Sequence, residues 1–253
     1  MPLDSTARPR ARSEPELLLP PPFMAVRLRE LGDAFEHAMT IAPKQGAGTL
    51  VYVGRFDLTE FAVVLEPDEP LAQARRVFYA GMVALADALS SYALPETSIT
   101  IGWPDSISVN LGLVGGGRLG WPQDVNEDAA PPWLVFGAMI RTVSMTGNEP
   151  GLNPLVTALE EEGFTEGLSN HVVESFARHF MLAIDAWQER GFGAVANNYL
   201  ARLPAENGVR RDIDSNGDLL VRRTGQSAVE REALLTRLAA PAWRDPITKG
   251  PRA

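Results

Sequence analysis

The sequence predicts an α+β protein: a mixed β-sheet flanked by helices, with a small β appendage at the C-terminal end. Three observations carry this. Apolar residues recur at helical spacing near residues 28–42, 71–89 and 172–203, short runs rich in β-formers fill the intervals, and the connections between those runs are short enough for hairpins.

The elements follow in order. Residues 1–24 mix Pro, Arg, Ser and Glu with little periodic apolar content, which predicts a flexible lead-in to a main domain over 25–203. Leu28, Leu31, Phe35, Ala38 and Met39 then predict an amphipathic helix from Leu28 to about Ala42, ended by Gly46 and Gly48. Thr49 to Val53 and Phe61 to Leu65 read as adjacent strands. Asp68 is placed to cap a helix whose stripe runs Leu71, Ala74, Phe78, Met82, Leu85 and Leu89, with Pro70 in its first turn. Ile99 to Ile101, Ser106 to Val109 and Leu113 to Leu119 predict three strands, and the apolar Trp133 to Val143 a central one beyond the loop Gly120 to Pro132. Val172, Val173, Phe176, Phe180, Ile184 and Trp187 mark a long helix stopped by Gly191, with another over Phe192 to Leu203. In the appendage, 204–253, Val209 to Ile213 and Leu219 to Arg223 flank a hairpin turn, Ala228 to Ala240 predict a last helix, and the tail reads as irregular.

Composition narrows the chemistry. At 253 residues and 45% hydrophobic content the chain can bury one sizeable core, and its apolar runs break well before membrane-spanning length, so a cytoplasmic protein with no membrane partner is expected. It has no cysteine, which removes disulfides, thiolate metal sites and thiol nucleophiles. The formal charge of −9 opposes a nucleic-acid surface but allows a locally basic pocket for a small phosphate. The only lysines are Lys44 and Lys249, so lysine chemistry has two candidates.

Asp212, Asp214, Asn216 and Gly217 match the start of a calcium-binding loop, but the twelfth position, which needs a bidentate carboxylate, is Arg223. A hairpin turn explains them. His37, His171 and His179 are too scattered for a ligand set, so no tightly bound metal is expected. Glu160 to Glu162 read as a solvated run, and no Gly-x-Ser-x-Gly elbow supports a serine hydrolase.

One region stands out: Trp103-Pro104-Asp105, a short strand to Asn110, then Gly112 to Trp121 with Gly115, Gly116 and Gly117 in succession. Glycines this dense in a strand mark either a ligand that approaches the backbone or close packing against a protein neighbour. The order of this region among its neighbours resembles the biotin and lipoate protein ligase family, whose members carry a Trp-Pro-Asn-Asp turn, a strand, and a glycine-containing strand. The likeness extends over most of residues 25–223 and includes the Trp133 to Val143 strand with Gly137.

The resemblance implies the catalytic fold shared with class II aminoacyl-tRNA synthetases. It also implies ATP with Mg²⁺ and biotin or lipoate as substrates, an acyl-adenylate, and a carrier-domain lysine as acceptor; related ligases often dimerise through the sheet. Trp103, Pro104, Asp105, Gly115, Gly116, Gly117, Arg118, Trp121 and Gly137 would then line the pocket. The chain departs from the family in its cations: the lysine expected beside the turn is replaced by Gly102, and the segment Leu111 to Gly117 has none. Of the family's Gly-Arg-rich loop only Gly54 to Glu60 remains. Arg118 and Arg55 are the substitutes expected to be catalytic, with Arg141 a third, because a guanidinium is permanently charged and grips phosphate through paired hydrogen bonds. The missing lysine equally suits a non-catalytic protein that holds a cofactor or carrier. The thioester-forming transfer of a related branch needs a cysteine, and there is none.

Overall fold

The structure, a computed structural model, describes residues 16–145 and 155–252. Seven strands form one sheet: β1 (Met24–Leu28), β2 (Thr49–Val53), β3 (Leu58–Leu65), β4 (Ile99–Gly102), β5 (Ser106–Val109), β6 (Gly112–Gly120) and β7 (Leu134–Arg141). Their spatial order is β1-β2-β3-β7-β6-β5-β4. Among the described strands the β1–β2 pairing is parallel and the others are antiparallel, so the sheet is mixed as expected, and the Trp133 to Val143 run supplies its central strand.

Helices cover both faces because β7 is apolar on both. Phe136, Ala138 and Ile140 point into the larger core, built with α3 (Val77–Ser90), α4 (Ser169–Arg190) and α5 (Phe192–Leu200). Within it Phe136 stacks on Phe176 with rings 5.5 Å apart and 7° from parallel. On the opposite face Val135 joins Val51, Val53, Ala62 and Val64 beneath α1 (Ala34–Gln45), which buries Ala34, Ala38 and Ala42.

Three expectations are corrected. The first helix does not begin at Leu28: residues 24–28 form β1, and the helix starts only at Ala34, where the Asp33 side chain accepts the Glu36 N–H at 2.9 Å and caps the turn that follows Gly32. The helix expected from Leu71 is broken into α2 (Leu71–Ala74) and α3; Pro70 is its N-cap, without a side-chain cap from Asp68, and at the break Arg75 turns inward to pair with Glu127 at 2.7 Å. The last helix is α6 (Leu234–Leu238) alone, because Val229–Glu232 pair with β9 (Leu219–Arg223) as strand β10. With β8 (Val209–Ile213) these make a three-stranded sheet.

The small sheet shares the larger core: Ile213, Leu219, Val221 and Leu234 join its cluster, and the Tyr79 hydroxyl of α3 donates to the Gly217 carbonyl. The chain also reaches the core before residue 24, since Leu17 is buried in the same cluster. At the β8–β9 turn the Asp214 carboxylate accepts the N–H groups of Asn216 and Asp218, at 2.8 and 3.0 Å. Its Oδ1 thus closes a hairpin turn. Among the described residues no helix is long and apolar enough to cross a membrane.

Candidate functional site

Strand register assembles the site. Glu60 of β3 lies opposite Met139 of β7, and Met139 lies opposite Gly116 of β6, so the three form one row across the sheet. Two residues along β6, Arg118 lies opposite Gly137. These positions share the α1 face. There the N-terminal end of α1, the loop 54–57 and the segment after α6 surround a cavity of about 410 Å³. Asp33, Arg55, Asp57, Glu60, Met139 and Arg141 line it, and Thr248 to Pro251 close one side.

Each charged group is held by a partner. The Arg55 guanidinium donates to both Asp57 oxygens, at 2.7 and 2.6 Å; this bond raises Arg55 and holds the Asp57 carboxyl below the usual range. Arg118 donates to Asp33 at 3.2 Å and stacks over Phe35, 4.0 Å from its centroid. Burial pushes its pKa down, nearby Arg244 adds to this, and Asp33 and Glu36 oppose it. Gly137 leaves the room this arrangement needs, since a Cβ there would stand 2.5 Å from the Phe35 ring. Glu60 is buried, its carboxyl raised by desolvation, and it accepts the Ala34 N–H at 2.8 Å. With Asp33 on Glu36, the first turn of α1 is already occupied by the protein's own carboxylates.

The glycine run accommodates protein on both sides. A Cβ on Gly116 would stand 2.0 Å from the Asp105 carbonyl oxygen and 2.6 Å from Trp243, whereas one on Gly117 would meet Met82 of α3 at 2.6 Å. Gly115, with φ +155°, sits where the β5–β6 register shifts and abuts the Met139 carbonyl. The two tryptophans lie elsewhere. Trp103 and Trp121 are half-buried against the larger core, and the Trp103 indole N–H donates to Tyr79 at 3.2 Å. Pro104 is buried, and its carbonyl accepts the Tyr199 hydroxyl at 2.8 Å. Asp105 is only 2% exposed, and its Oδ2 has no hydrogen-bond partner; burial raises its pKa to about 7, against a weaker opposing pull from Arg237.

Of the residues the sequence singles out, the structure thus brings Arg55, Gly116, Arg118, Gly137 and Arg141 to one face. Trp103, Trp121 and Gly117 face the larger core instead. Asp33, Asp57 and Glu60 were not anticipated from the sequence, nor was Trp243, the largest fully buried side chain among the described residues. Asp57 was within reach, standing two residues from Arg55. Trp243 offered only the oddity of an indole in an otherwise polar tail.

The sequence model of the Biotin/lipoate A/B protein ligase family matches residues 19–201. Among solved structures, a biotin protein ligase-like protein of unknown function from Silicibacter sp. TM1040 is similar at 25% identity and TM-score 0.74, covering 87% of this chain and 98% of its own. Biotin protein ligase from Aquifex aeolicus is similar at 14% identity and TM-score 0.64, covering 83% and 95%. The same enzyme in complex with biotin and ATP matches at 13% identity and TM-score 0.57, covering 82% and 99%. No curated protein matches the chain.

Proposed function

Because the chain belongs to the biotin/lipoate A/B protein ligase family, we propose that it activates a small carboxylic acid, biotin or lipoate, with ATP and transfers the acyl group to a lysine of a carrier domain. The observation that supports this is that Arg55 and Arg141 line a cavity on the α1 face of the sheet, with Arg118 on the same face two residues along β6 from Gly116. In the first step a carboxylate oxygen bonds the α-phosphorus of ATP and pyrophosphate leaves. In the second the carrier amine attacks the acyl carbon, AMP leaves, and the amine gives up a proton. Both steps build negative charge on oxygen, which cationic donors fixed beforehand stabilise.

The residues present fit an anion better than a bare metal. The cavity's cations, Arg55, Arg141 and Lys249, offer N–H donors to an anion, and although Asp33, Asp57 and Glu60 also line it, among the described residues no cluster of three or more His, Asp or Glu could hold an ion. Mg²⁺ would therefore arrive chelated by the nucleotide. The proposal includes a cytoplasmic location, where ATP is available. A second reading, binding without activation, is favoured by one specific observation: Arg55 and Arg118 are each already paired, with Asp57 and Asp33.

Pyrophosphate release with ATP and each of biotin, lipoate and octanoate, in the presence of a carrier domain, tests the proposal, together with calorimetry for each ligand alone. Release that requires both acid and ATP is expected. Binding of an acid without ATP, and no release when both are supplied, would overturn the ligase reading in favour of the second.

A further inference from the structure

The segment after α6 is built into the pocket wall. Trp243 is fully buried over β6 and packs with Leu58, Met139 and Leu113, and its indole N–H donates to the Gly117 carbonyl at 3.3 Å. From this anchor the chain makes a closed loop. Arg244 bridges to Pro251, the Asp245 N–H donates to the Gly250 carbonyl at 2.9 Å, and the Arg244 guanidinium donates to the Lys249 carbonyl at 2.8 Å. The Asp245 carboxylate accepts the N–H groups of Ile247 and Thr248, both at 2.8 Å. Arg141 ties the loop to β7, donating to the Pro251 and Arg252 carbonyls at 2.9 and 2.8 Å. The loop thereby holds Lys249, itself exposed, in the lining of the cavity.

Lys249 has φ +62°, a region that glycine adopts readily and side-chain-bearing residues seldom do, so the turn holds a lysine where glycine would fit with less strain. Its charge is also the uncommitted one. Among the cavity's cations Arg55 is doubly bonded to Asp57 and Arg141 grips the two carbonyls, whereas Lys249 has no ion pair among the described residues. A strongly hydrated ammonium on a flexible stem can swing to meet an incoming anion without first breaking a pair.

We infer that the C-terminal loop completes the ligand pocket and that Lys249 is the residue that meets the ligand's anionic oxygens. This rests on the reading of the cavity as the acid and nucleotide site. The shared chemistry is an oxyanion, supplied either by the acid's carboxylate or by a phosphate of ATP.

The test uses the full chain and its two lysines. The protein is treated with an amine-reactive label alone, with biotin or lipoate, and with ATP, and labelling of Lys249 and of exposed Lys44 is followed by mass spectrometry. Calorimetry then compares wild type with Lys249→Ala and Lys249→Arg. Lys249 is exposed, so neither substitution opens the core. We expect at least one of these ligands to protect Lys249 while Lys44 labels unchanged, Lys249→Ala to weaken that ligand by about tenfold or more, and Lys249→Arg to stay within about threefold of wild type. The ligand that protects identifies the oxyanion. Binding to wild type with Lys249 still labelled and Lys249→Ala unchanged would overturn the role of Lys249 and leave the pocket reading standing. No binding of any of these ligands to wild type would overturn the pocket reading, and this inference with it.

Discussion

Asp105 should make the protein less stable as pH rises from about 4 to about 7, and Asp105→Asn should abolish that loss. The carboxyl is 2% exposed with an unpartnered Oδ2, and its pKa stands at about 7 against an ordinary 3.8. A group raised in the folded state binds its proton more tightly there than in the unfolded chain. Stability therefore falls from about pH 4 to about pH 7 and is level above, where the folded carboxylate must be ionised. At about 1.36 kcal/mol per pH unit the full effect is about 4 kcal/mol, of which about 3 kcal/mol develops between pH 5 and pH 8. The amide has nearly the same shape and does not titrate. The advantage of Asp105→Asn over wild type should therefore widen by about 3 kcal/mol over that interval, or by roughly 5–10 °C in Tm for a chain of this length. Thermal scans of both proteins at pH 5 and pH 8 read this difference, since the other titrating groups are common to both. A gap that stays constant between the two pH values would refute the assignment of Asp105 as a buried carboxyl with an unpartnered Oδ2.

Two further outcomes are expected. If the protein turns over, Arg118→Ala should slow pyrophosphate release by about tenfold or more, as loss of a fixed cation near developing negative charge does; an unchanged rate would remove Arg118 from the site. Trp243→Ala should destabilise the fold by about 3–5 kcal/mol, the range for deleting a buried aromatic, read as a lower urea midpoint. An unchanged midpoint would mean that the C-terminal loop does not seat on β6.

What the sequence made legible was local. The stripes at Leu71 to Leu89 and Val172 to Trp187 and the run Trp133 to Val143 each carry their period within a few turns, and each forms the kind of element expected, though a break at Arg75 divides the first. Strand β1 escaped because its five residues show no clean alternation and precede the Gly32-Asp33 start of α1, where a helical period extrapolates backwards without resistance. Arg55 was visible beside its own Asp57, whereas Asp33 lies 85 residues from Arg118 and only register and helix packing join them. The indole contact from Trp243 to Gly117 spans 126 residues. No periodicity in a tail of Pro, Arg and Asp could announce it.

The two readings of the glycine strand, backbone close to a ligand or backbone close to protein, turn out not to exclude each other. Gly117 is pressed from one side by the larger core, and Gly116 from the other by Trp243. Residues on a strand alternate faces, so the two glycines let the backbone pass between two packed layers. That thinness has a consequence for the pocket. With the indole seated over Gly116, the space left on the α1 face is bordered by Asp33, Arg55, Asp57 and Glu60, and its far wall is the loop that Trp243 anchors. The same side chain therefore fixes the fold at β6 and sets the distance across the cavity. A ligand cannot enlarge that cavity toward β6 without displacing a fully buried tryptophan, so on the proposed reading selection among acids should operate at the polar lining that Lys249 and Arg55 supply.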